Sequence, residues 1–295
     1  MKKHGWNYIV PIGSALAILM VLFGVGCEPA LQDSFDSDYG GLLKGKGNIT
    51  EAVAALEGHR QNILPLRAGG KCLIEWYDDN GKKHKENPAI QLALYPPNRL
   101  YFKGDILGGE AIRLGTNVED FWFRIKPEVS SYWWGKRSAT KQCRTGSYFN
   151  PETLLEALGM VQVDTSWEFA VQDGFDTLTL KALNGTPVKR VYVDWRDYLV
   201  KKIEYFDSMG QVNAVVQMNN YTSGADGVVV PSKIGIINFG TKSGNAAIDI
   251  TLRNVKLFTP TKAQLEGKLF KKPPIDGFEK IYELNDDCKF FQQEL

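Results

Sequence analysis

The chain has 295 residues, a formal net charge of +1 and 43% hydrophobic residues, which suits one large domain or two ordinary ones. Residues 1–26 hold two of the 35 basic residues and no acidic one, so the remainder has 33 basic and 34 acidic residues and a net charge of −1. A near-neutral chain lacks the basic surface that nucleic-acid binding needs, and that class of partner is excluded. Aromatic residues make up 12% and include seven Trp, which favours either β-structure with apolar binding surfaces or simply a Trp-rich core.

Residues 1–26 have the form of a secretion signal: Lys2 and Lys3, then an uncharged stretch from Tyr8 to Gly26, with Cys27 directly after it. The ending Gly24-Val25-Gly26-Cys27 resembles the bacterial lipoprotein signal, although that pattern usually has Leu at the position of Gly24. The resemblance implies a diacylglycerol on the Cys27 thiol and a third acyl chain on its amino group. It places the chain in the cell envelope, lipid-anchored in the outer membrane and facing the periplasm. The alternative is an uncleaved transmembrane helix, because the uncharged stretch is just long enough to span a bilayer.

Residues 27–48 are rich in Asp, Ser and Gly and show no apolar period, so they are predicted to form a flexible tether. A helix is expected to begin at Thr50, a good N-cap, and to end before Pro65. A second helix is expected over Pro151–Leu158, where Asn150 would cap the start and Gly159 the end. A third, weaker helix candidate is Lys262–Glu266.

From Gly70 to Leu257 the pattern is mostly that of β-strands, about a dozen of them at short spacing. In Glu119–Lys126, for example, Phe121, Phe123 and Ile125 fall on one face and the intervening residues on the other. No long helices alternate with the strands, so the class is mainly β: an antiparallel sandwich or barrel. The predicted domain covers residues 49–270, and residues 271–295 are expected to form a charged C-terminal tail.

No arrangement of residues predicts catalysis. Only His59 and His84 remain after residues 1–26, and each is more typical of a surface histidine than of a catalyst. The stretch from Gly40 to Lys46 is close to a phosphate-binding loop, but Gly47 replaces the metal-binding hydroxyl and no apolar strand precedes it. We therefore predict no enzyme activity, no cofactor and no metal.

Three cysteines besides Cys27 occur, namely Cys72, Cys143 and Cys288, at spacings too wide for a local zinc site. In an oxidising compartment two of them could pair. Cys143 with Cys288 is one candidate pair, and three buried thiols are the other outcome.

The predicted elements follow one another in the order acylated cysteine, tether, helix, strands, helix and more strands. This order resembles that of the family of periplasmic lipoprotein carriers and outer-membrane lipoprotein receptors (LolA/LolB-like). Three parts of the sequence carry the resemblance over roughly residues 49–258. They are the helix and first strand in Ala52–Ile74, the strand Phe121–Pro127 followed by the aromatic stretch Tyr132–Gly135, and Val200–Gly210 followed by Asn220-Tyr221 and Val230–Ile234.

The resemblance implies an incomplete antiparallel β-barrel, or half-barrel, with a few helices plugging its concave face. It implies that acyl chains of a lipid or lipoprotein bind in that concavity, in outer-membrane lipoprotein sorting. It further implies a membrane-contacting loop, for which Ile106 and Leu107 are the candidates, the alternative being an ordinary turn with both side chains folded inward. The candidate cavity-lining residues are Trp76, Tyr101, Trp122, Trp133, Trp167 and Trp195.

Two other functional classes remain open from the sequence. One is an envelope sensor or adaptor with a periplasmic protein partner. The other is a structural lipoprotein with a filled core and no lipid cargo. An empty apolar cavity would favour the acyl-binding class, and packed Trp side chains would favour the structural one.

Overall fold

The computed structural model describes residues 44–77, 80–107, 109–126, 130–142, 151–223, 229–241, 244–267, 269–285 and 290–293. The predicted signal, Cys27, Cys143, Cys288 and nearly all of the predicted tether lie outside these residues. Among the residues described, no helix has the length and apolar character needed to cross a membrane.

Within the described residues the chain forms sixteen strands and four short α-helices. The helices are α1 (Ile49–Gln61), α2 (Arg137–Gln142), α3 (Pro151–Leu155), which continues into a π-helical turn (Glu156–Met160), and α4 (Lys262–Glu266). The strands are β1 (Leu66–Tyr77), β2 (Lys83–Glu86), β3 (Ala89–Tyr95), β4 (Arg99–Ile106), β5 (Gly109–Thr116), β6 (Asp120–Ile125), β7 (Ser131–Lys136), β8 (Glu168–Gln172), β9 (Phe175–Lys181), β10 (Pro187–Asp194), β11 (Val200–Phe206), β12 (Val212–Ser223), β13 (Val229–Thr241), β14 (Gly244–Leu257), β15 (Lys280–Leu284) and β16 (Phe290–Gln292).

All the strands belong to one open sheet, which confirms the predicted half-barrel class. The order is β16-β15-β7-β6-β5-β4-β3-β1-β14-β13-β12-β11-β10-β9-β8, with β2 paired to β1. Neighbouring strands are antiparallel except β15, which runs parallel to β7. The sheet therefore consists of two meanders, β3–β7 and β8–β14, joined where β1 pairs with β14. A sandwich of two sheets is not formed.

Three of the four helices were placed nearly correctly from the sequence, and α2 was not predicted. Helix α1 begins at Ile49, one residue before the predicted N-cap Thr50, because the Asn48 side chain accepts a hydrogen bond from the Glu51 backbone N–H and so caps the helix. The prediction of Thr50 as the N-cap is therefore wrong. Helix α3 and the π-helical turn occupy the predicted second helix, and Gly159 has φ +96°, a conformation that favours glycine. Helix α4 has the predicted bounds.

Residues 271–295, expected to form a charged tail, supply the strands β15 and β16. The segment leading to them crosses the outer face of β6 and β7, where Phe278 and Ile281 pack with Trp122 and Tyr132. The Tyr132 hydroxyl donates to the Pro273 carbonyl at 2.9 Å. The C-terminal residues thus extend the sheet, and they cover aromatic side chains that would otherwise face solvent.

The main core lies between the inner face of the sheet and the helices α1 and α3 with the π-helical turn. It includes Leu66 and Cys72 of β1, Phe102 of β4 and Ile250 of β14, all at most 1% exposed. The alternation predicted for β6 is confirmed, since Phe123 pairs with the core residue Leu114 on this inner face.

Connections between the strands alternate between two ends of the sheet. One end, called here the cavity end, holds the β8–β9 and β10–β11 turns and the ends of β12 and β14. The opposite end, called the tip end, holds the β4–β5, β9–β10 and β11–β12 turns. The two ends are separated by the length of the strands.

Candidate functional site

The inner face is occupied by a helical plug, formed by α1, α3 and the π-helical turn. Leu154, Leu155 and Leu158 of the plug are each 1% exposed, and α1 contributes Ala52 and Leu56. Each fully buried leucine contributes about 1.5–3 kcal/mol of hydrophobic stabilisation. The concavity is therefore mostly filled by the chain's own side chains.

Two polar clamps hold this plug in place, one to the sheet and one to Arg137 at the start of α2. Glu156 of the π-helical turn lies 2.5 Å from the Lys189 ammonium of β10 and accepts a 2.5 Å hydrogen bond from the Tyr205 hydroxyl of β11. On the other side, Arg137 donates from Nε and Nη2 to the two carboxylate oxygens of Glu152 in α3, at 2.5 and 3.1 Å. Burial, and then the neighbouring Glu156 carboxylate, raise the pKa of Tyr205 well above its usual range. The Tyr205 hydroxyl therefore keeps its proton and remains a donor.

An open cavity of about 150 Å³ lies at the cavity end, where the last turn of α1 and the π-helical turn approach β11, β12 and β13. Its lining is mostly apolar, with His59, Asn62, Tyr198 and Tyr221 as the polar side chains. The lining residues are Leu56, His59, Asn62, Ile63, Leu64, Leu158, Gly159, Val161, Tyr198, Leu199, Val200, Tyr221, Val229 and Pro231.

The two tyrosines of this lining have their hydroxyls engaged in the protein. Tyr221 donates to the Val200 carbonyl, and the Lys201 ammonium lies 4.6 Å from the centroid of the Tyr221 ring. Tyr198 donates to Asp176 at 2.9 Å. Burial raises the pKa of both tyrosines. Their rings, rather than their hydroxyls, are what a ligand would meet.

Asp176 accepts the hydrogen bonds that hold the start of the described chain against the sheet. This carboxylate is 0% exposed and accepts three hydrogen bonds, from the Lys46 backbone N–H at 2.7 Å, the Trp195 indole N–H at 2.9 Å and the Tyr198 hydroxyl. Gly45 passes so close that a Cβ there would lie 1.9 Å from Asp176 Oδ1. Because Tyr198 also lines the cavity, this network fixes one wall of it.

The six aromatic residues predicted to line a cavity are distributed over several environments, and none is among the residues lining the cavity described above. Trp133 lies on the inner face of β7, stacked between Phe123 and Tyr282 with ring centroids 5.2 and 5.5 Å away. Trp76 stacks on His84 near the end of β1.

The other four lie elsewhere. Trp122 is in the outer-face cluster beneath the C-terminal segment, and Tyr101 packs on the same face against the cluster of Phe258 and Phe270. Trp167 is 7% exposed within the main core. Trp195 is the indole donor to Asp176. A role for any of the six in ligand binding stays a prediction.

Leu107, one of the two residues predicted to contact a membrane, is fully exposed at the tip end, whereas Ile106 is half-buried. The alternative in which both side chains fold inward therefore does not describe Leu107. Membrane contact by this turn remains a prediction.

The sequence does not predict this cavity, because its walls come from loops and helix ends. The cavity-lining residues predicted from the sequence are aromatic residues, most of them in strands. The lining instead comes from residues such as Ile63 and Leu64, which follow α1, and Val229 and Pro231, at the start of β13. One feature of the sequence could have indicated this cavity. It is the pair of aliphatic residues Ile63 and Leu64, which lie between the expected helix and Pro65.

Cys72 is fully buried in β1. Burial, together with the nearby Asp249 carboxylate, raises the pKa of its thiol to about 12. Since only the thiolate reacts with thiol reagents, we expect no reaction of Cys72 with a disulfide reagent at pH 8 while the protein is folded. The measurement is reagent release from a variant carrying Cys27→Ser, Cys143→Ser and Cys288→Ser, which leaves Cys72 as its single thiol, with full reaction in denaturant as the control. Rapid labelling of the folded variant would contradict this assignment.

No group of three or more His, Cys, Asp or Glu side chains that could hold a metal is found among the described residues. The lining offers apolar surface, two aromatic rings and, at the rim, His59 and Asn62. Such a cavity accommodates an apolar group whose polar end stays at the mouth.

No family model and no curated protein matches the chain. Solved structures do show similarity. A domain described as outer-membrane lipoprotein-sorting from Vibrio parahaemolyticus aligns with 11% identity and a TM-score of 0.48 over 73% of this chain and 95% of the other. A LolA superfamily protein from Nitrosomonas europaea aligns with 12% identity and a TM-score of 0.48, over 77% and 99%. A DUF1329 family protein from Desulfovibrio piger aligns with 11% identity and a TM-score of 0.47, over 75% and 97%.

Proposed function

We propose that this chain is an acyl-binding half-barrel of the cell envelope, anchored in the outer membrane through acylated Cys27 and facing the periplasm. In this proposal the cavity between the last turn of α1 and β11–β13 receives the end of an acyl chain from a lipid or a lipoprotein. The observation that supports it is the apolar lining of that cavity, with Leu56, Ile63, Leu158 and Val161 inside and His59 at the mouth.

The size of the cavity limits what it holds in this conformation. A cavity of about 150 Å³ has room for a ligand of benzene size, roughly six carbon atoms. At about 0.8 kcal/mol per buried methylene, six carbons contribute about 5 kcal/mol. That corresponds to a dissociation constant of about 0.2 mM before the entropic cost of association is counted. A free fatty acid would therefore bind weakly to this conformation.

Burial of a longer chain requires the plug to move. Helix α1 is the element best placed to do so, because only Ala52 and Leu56 of its residues are fully buried. Helix α3 and the π-helical turn are held by the Glu152 and Glu156 clamps in addition to their buried leucines. In the proposed function, α1 moves outward while α3 and the π-helical turn remain on the sheet, so the cavity lengthens along the inner face.

A Leu64→Trp variant tests the assignment of the cavity. Leu64 is 42% exposed at the rim, so a larger side chain is tolerated there and can occupy the cavity. We expect the affinity for a fluorescent fatty acid to fall by about tenfold or more, since burial of two methylenes is worth about that factor. The matched control is Val118→Trp, an exposed aliphatic position in the β5–β6 turn, away from the lining. Equal affinity in both variants would show that the ligand binds elsewhere.

The second candidate function is that of an adaptor or structural lipoprotein, and the packed plug favours it, because the inner face is already largely filled. Native mass spectrometry of the protein purified from a bacterial envelope separates the two. A bound mass removed by organic solvent supports acyl binding and identifies the cargo. A ligand-free mass, together with no binding of the fluorescent fatty acid, supports the second candidate.

A further inference from the structure

Two hairpin turns at the tip end each present one large apolar side chain to solvent. Leu183 in the β9–β10 turn is fully exposed, and Met209 in the β11–β12 turn is 78% exposed. Single exposed apolar residues are common on protein surfaces. Here, however, two stand at the extremities of neighbouring hairpins of the same sheet.

The two turns touch one another. A Cβ placed on Gly210 would lie 3.2 Å from Thr186 Cγ2 and 3.6 Å from Pro187 Cδ. The turn of Met209 therefore packs directly against the turn of Leu183. We call these two residues the tip pair.

Both turns are held by internal hydrogen bonds. Asn184 Oδ1 accepts from the Thr186 backbone N–H at 3.1 Å, and Asp207 Oδ1 accepts from the backbone N–H groups of Met209 and Gln211 at 2.8 and 2.9 Å. Gly185 and Gly210, with φ +82° and +77°, permit these tight turns. The backbone donors of the turns are thus partly satisfied within the protein, which lowers the cost of moving the tips out of water.

We propose that the tip pair inserts into the interfacial region of the bilayer to which Cys27 anchors the chain. The inference rests on the proposed membrane anchoring, and it adds the orientation of the domain. Two side chains are too little surface for a specific protein partner, whose interface buries about 1,000 Å² or more. A bilayer, in contrast, accepts protruding apolar side chains without shape complementarity.

Charge does not drive this contact. Near the tips Lys181 is paired with Glu168 at 2.6 Å, and the Asp207 carboxylate is occupied by its own turn. We therefore expect the interaction to depend on apolar insertion and to change little with ionic strength. This distinguishes it from a polybasic membrane contact, which salt weakens.

The chain outside the described residues is long enough for this orientation. The 16 residues between Cys27 and Lys44 span at most about 60 Å. The described chain enters at the cavity end, where Lys46 bonds Asp176, and β9 extends from there to the tip end over seven residues, roughly 23 Å. With the tip pair in the bilayer, the mouth of the cavity faces away from it.

The test uses the full chain with Cys143→Ser and Cys288→Ser, reconstituted in vesicles of phosphatidylethanolamine, phosphatidylglycerol and a doxyl-labelled lipid. An environment-sensitive fluorophore is attached to Leu183→Cys or to Met209→Cys. Val118→Cys is the matched control, because Val118 is 59% exposed at the opposite, cavity end. We expect a blue-shifted emission and strong quenching by the doxyl lipid at positions 183 and 209, and neither at 118.

The outcomes separate the two proposals. Chains that float with the vesicles but show equally weak quenching at all three positions overturn the tip pair and leave the anchor intact. Chains that do not float contradict both the anchor and the tip pair. Fluorescent fatty-acid binding by the same chains reports on the cavity alone, so its loss with the quenching pattern preserved counts against acyl binding only.

Discussion

Asp176→Ala should destabilise the protein by about 3–5 kcal/mol, a large share of the stability of an ordinary domain. The substitution removes a fully buried carboxylate and leaves the Trp195 indole N–H, the Tyr198 hydroxyl and the Lys46 backbone N–H without their acceptor. Unsatisfied buried donors each cost about 1–3 kcal/mol. Chemical denaturation followed by Trp fluorescence measures the change.

Glu168→Ala is the matched control for this prediction. Glu168 also carries a carboxylate near the β8–β9 hairpin, but it is 62% exposed and pairs with Lys181 on the surface. Its removal should change the free energy of unfolding by less than about 1 kcal/mol. Asp176→Asn keeps one acceptor oxygen and should fall between the two. If Asp176→Ala and Glu168→Ala were equally mild, the network would not be what holds the chain at the cavity end.

Leu158→Ala should change stability and ligand binding in opposite directions. Leu158 is 1% exposed and lines the cavity, so its truncation should cost about 2–5 kcal/mol of unfolding free energy. The same truncation enlarges the apolar cavity by about three carbon atoms. If the cavity binds acyl chains, the affinity for a fluorescent fatty acid should rise by about tenfold or more.

The matched control is Leu178→Ala. Leu178 of β9 is fully buried in the same core but is not among the residues lining the cavity. We expect the same order of destabilisation with no gain in binding. Calorimetry or denaturation gives the stability, and fluorescence titration gives the affinity. A rise in affinity for both variants would indicate general loosening rather than a specific cavity.

The sequence was sufficient for the local features. Asn150 and Pro151 at the start and Gly159 at the end predicted the position of α3. The alternation of apolar residues in β6 placed Phe123 on the inner face. These features depend on neighbours within a few residues, which a pattern records directly.

What the sequence could not show depends on long-range pairing. Tyr101 and Trp122 are aromatic residues of the kind expected in cavity walls, yet both are covered on the outer face. Phe258 and Phe270 pack on Tyr101, and the C-terminal segment packs on Trp122. Nothing in residues 271–295 except the apolar pattern around Ile281 indicated that β15 would run beside β7. The cavity lining was hidden for the same reason, because α1, the π-helical turn and β13 are distant in sequence.

The pairing of β1 with β14 also has a consequence for how the molecule folds. Leu66 pairs with Leu257, so the two strands at the middle of the sheet come from opposite ends of the domain. Closing a loop of that length costs about 5 kcal/mol of chain entropy, whereas the hairpins within each meander need only short closures. We expect the two meanders to form early and independently. Their union through β1 and β14 should be the slow step, because it requires the chain to be synthesised as far as Leu257.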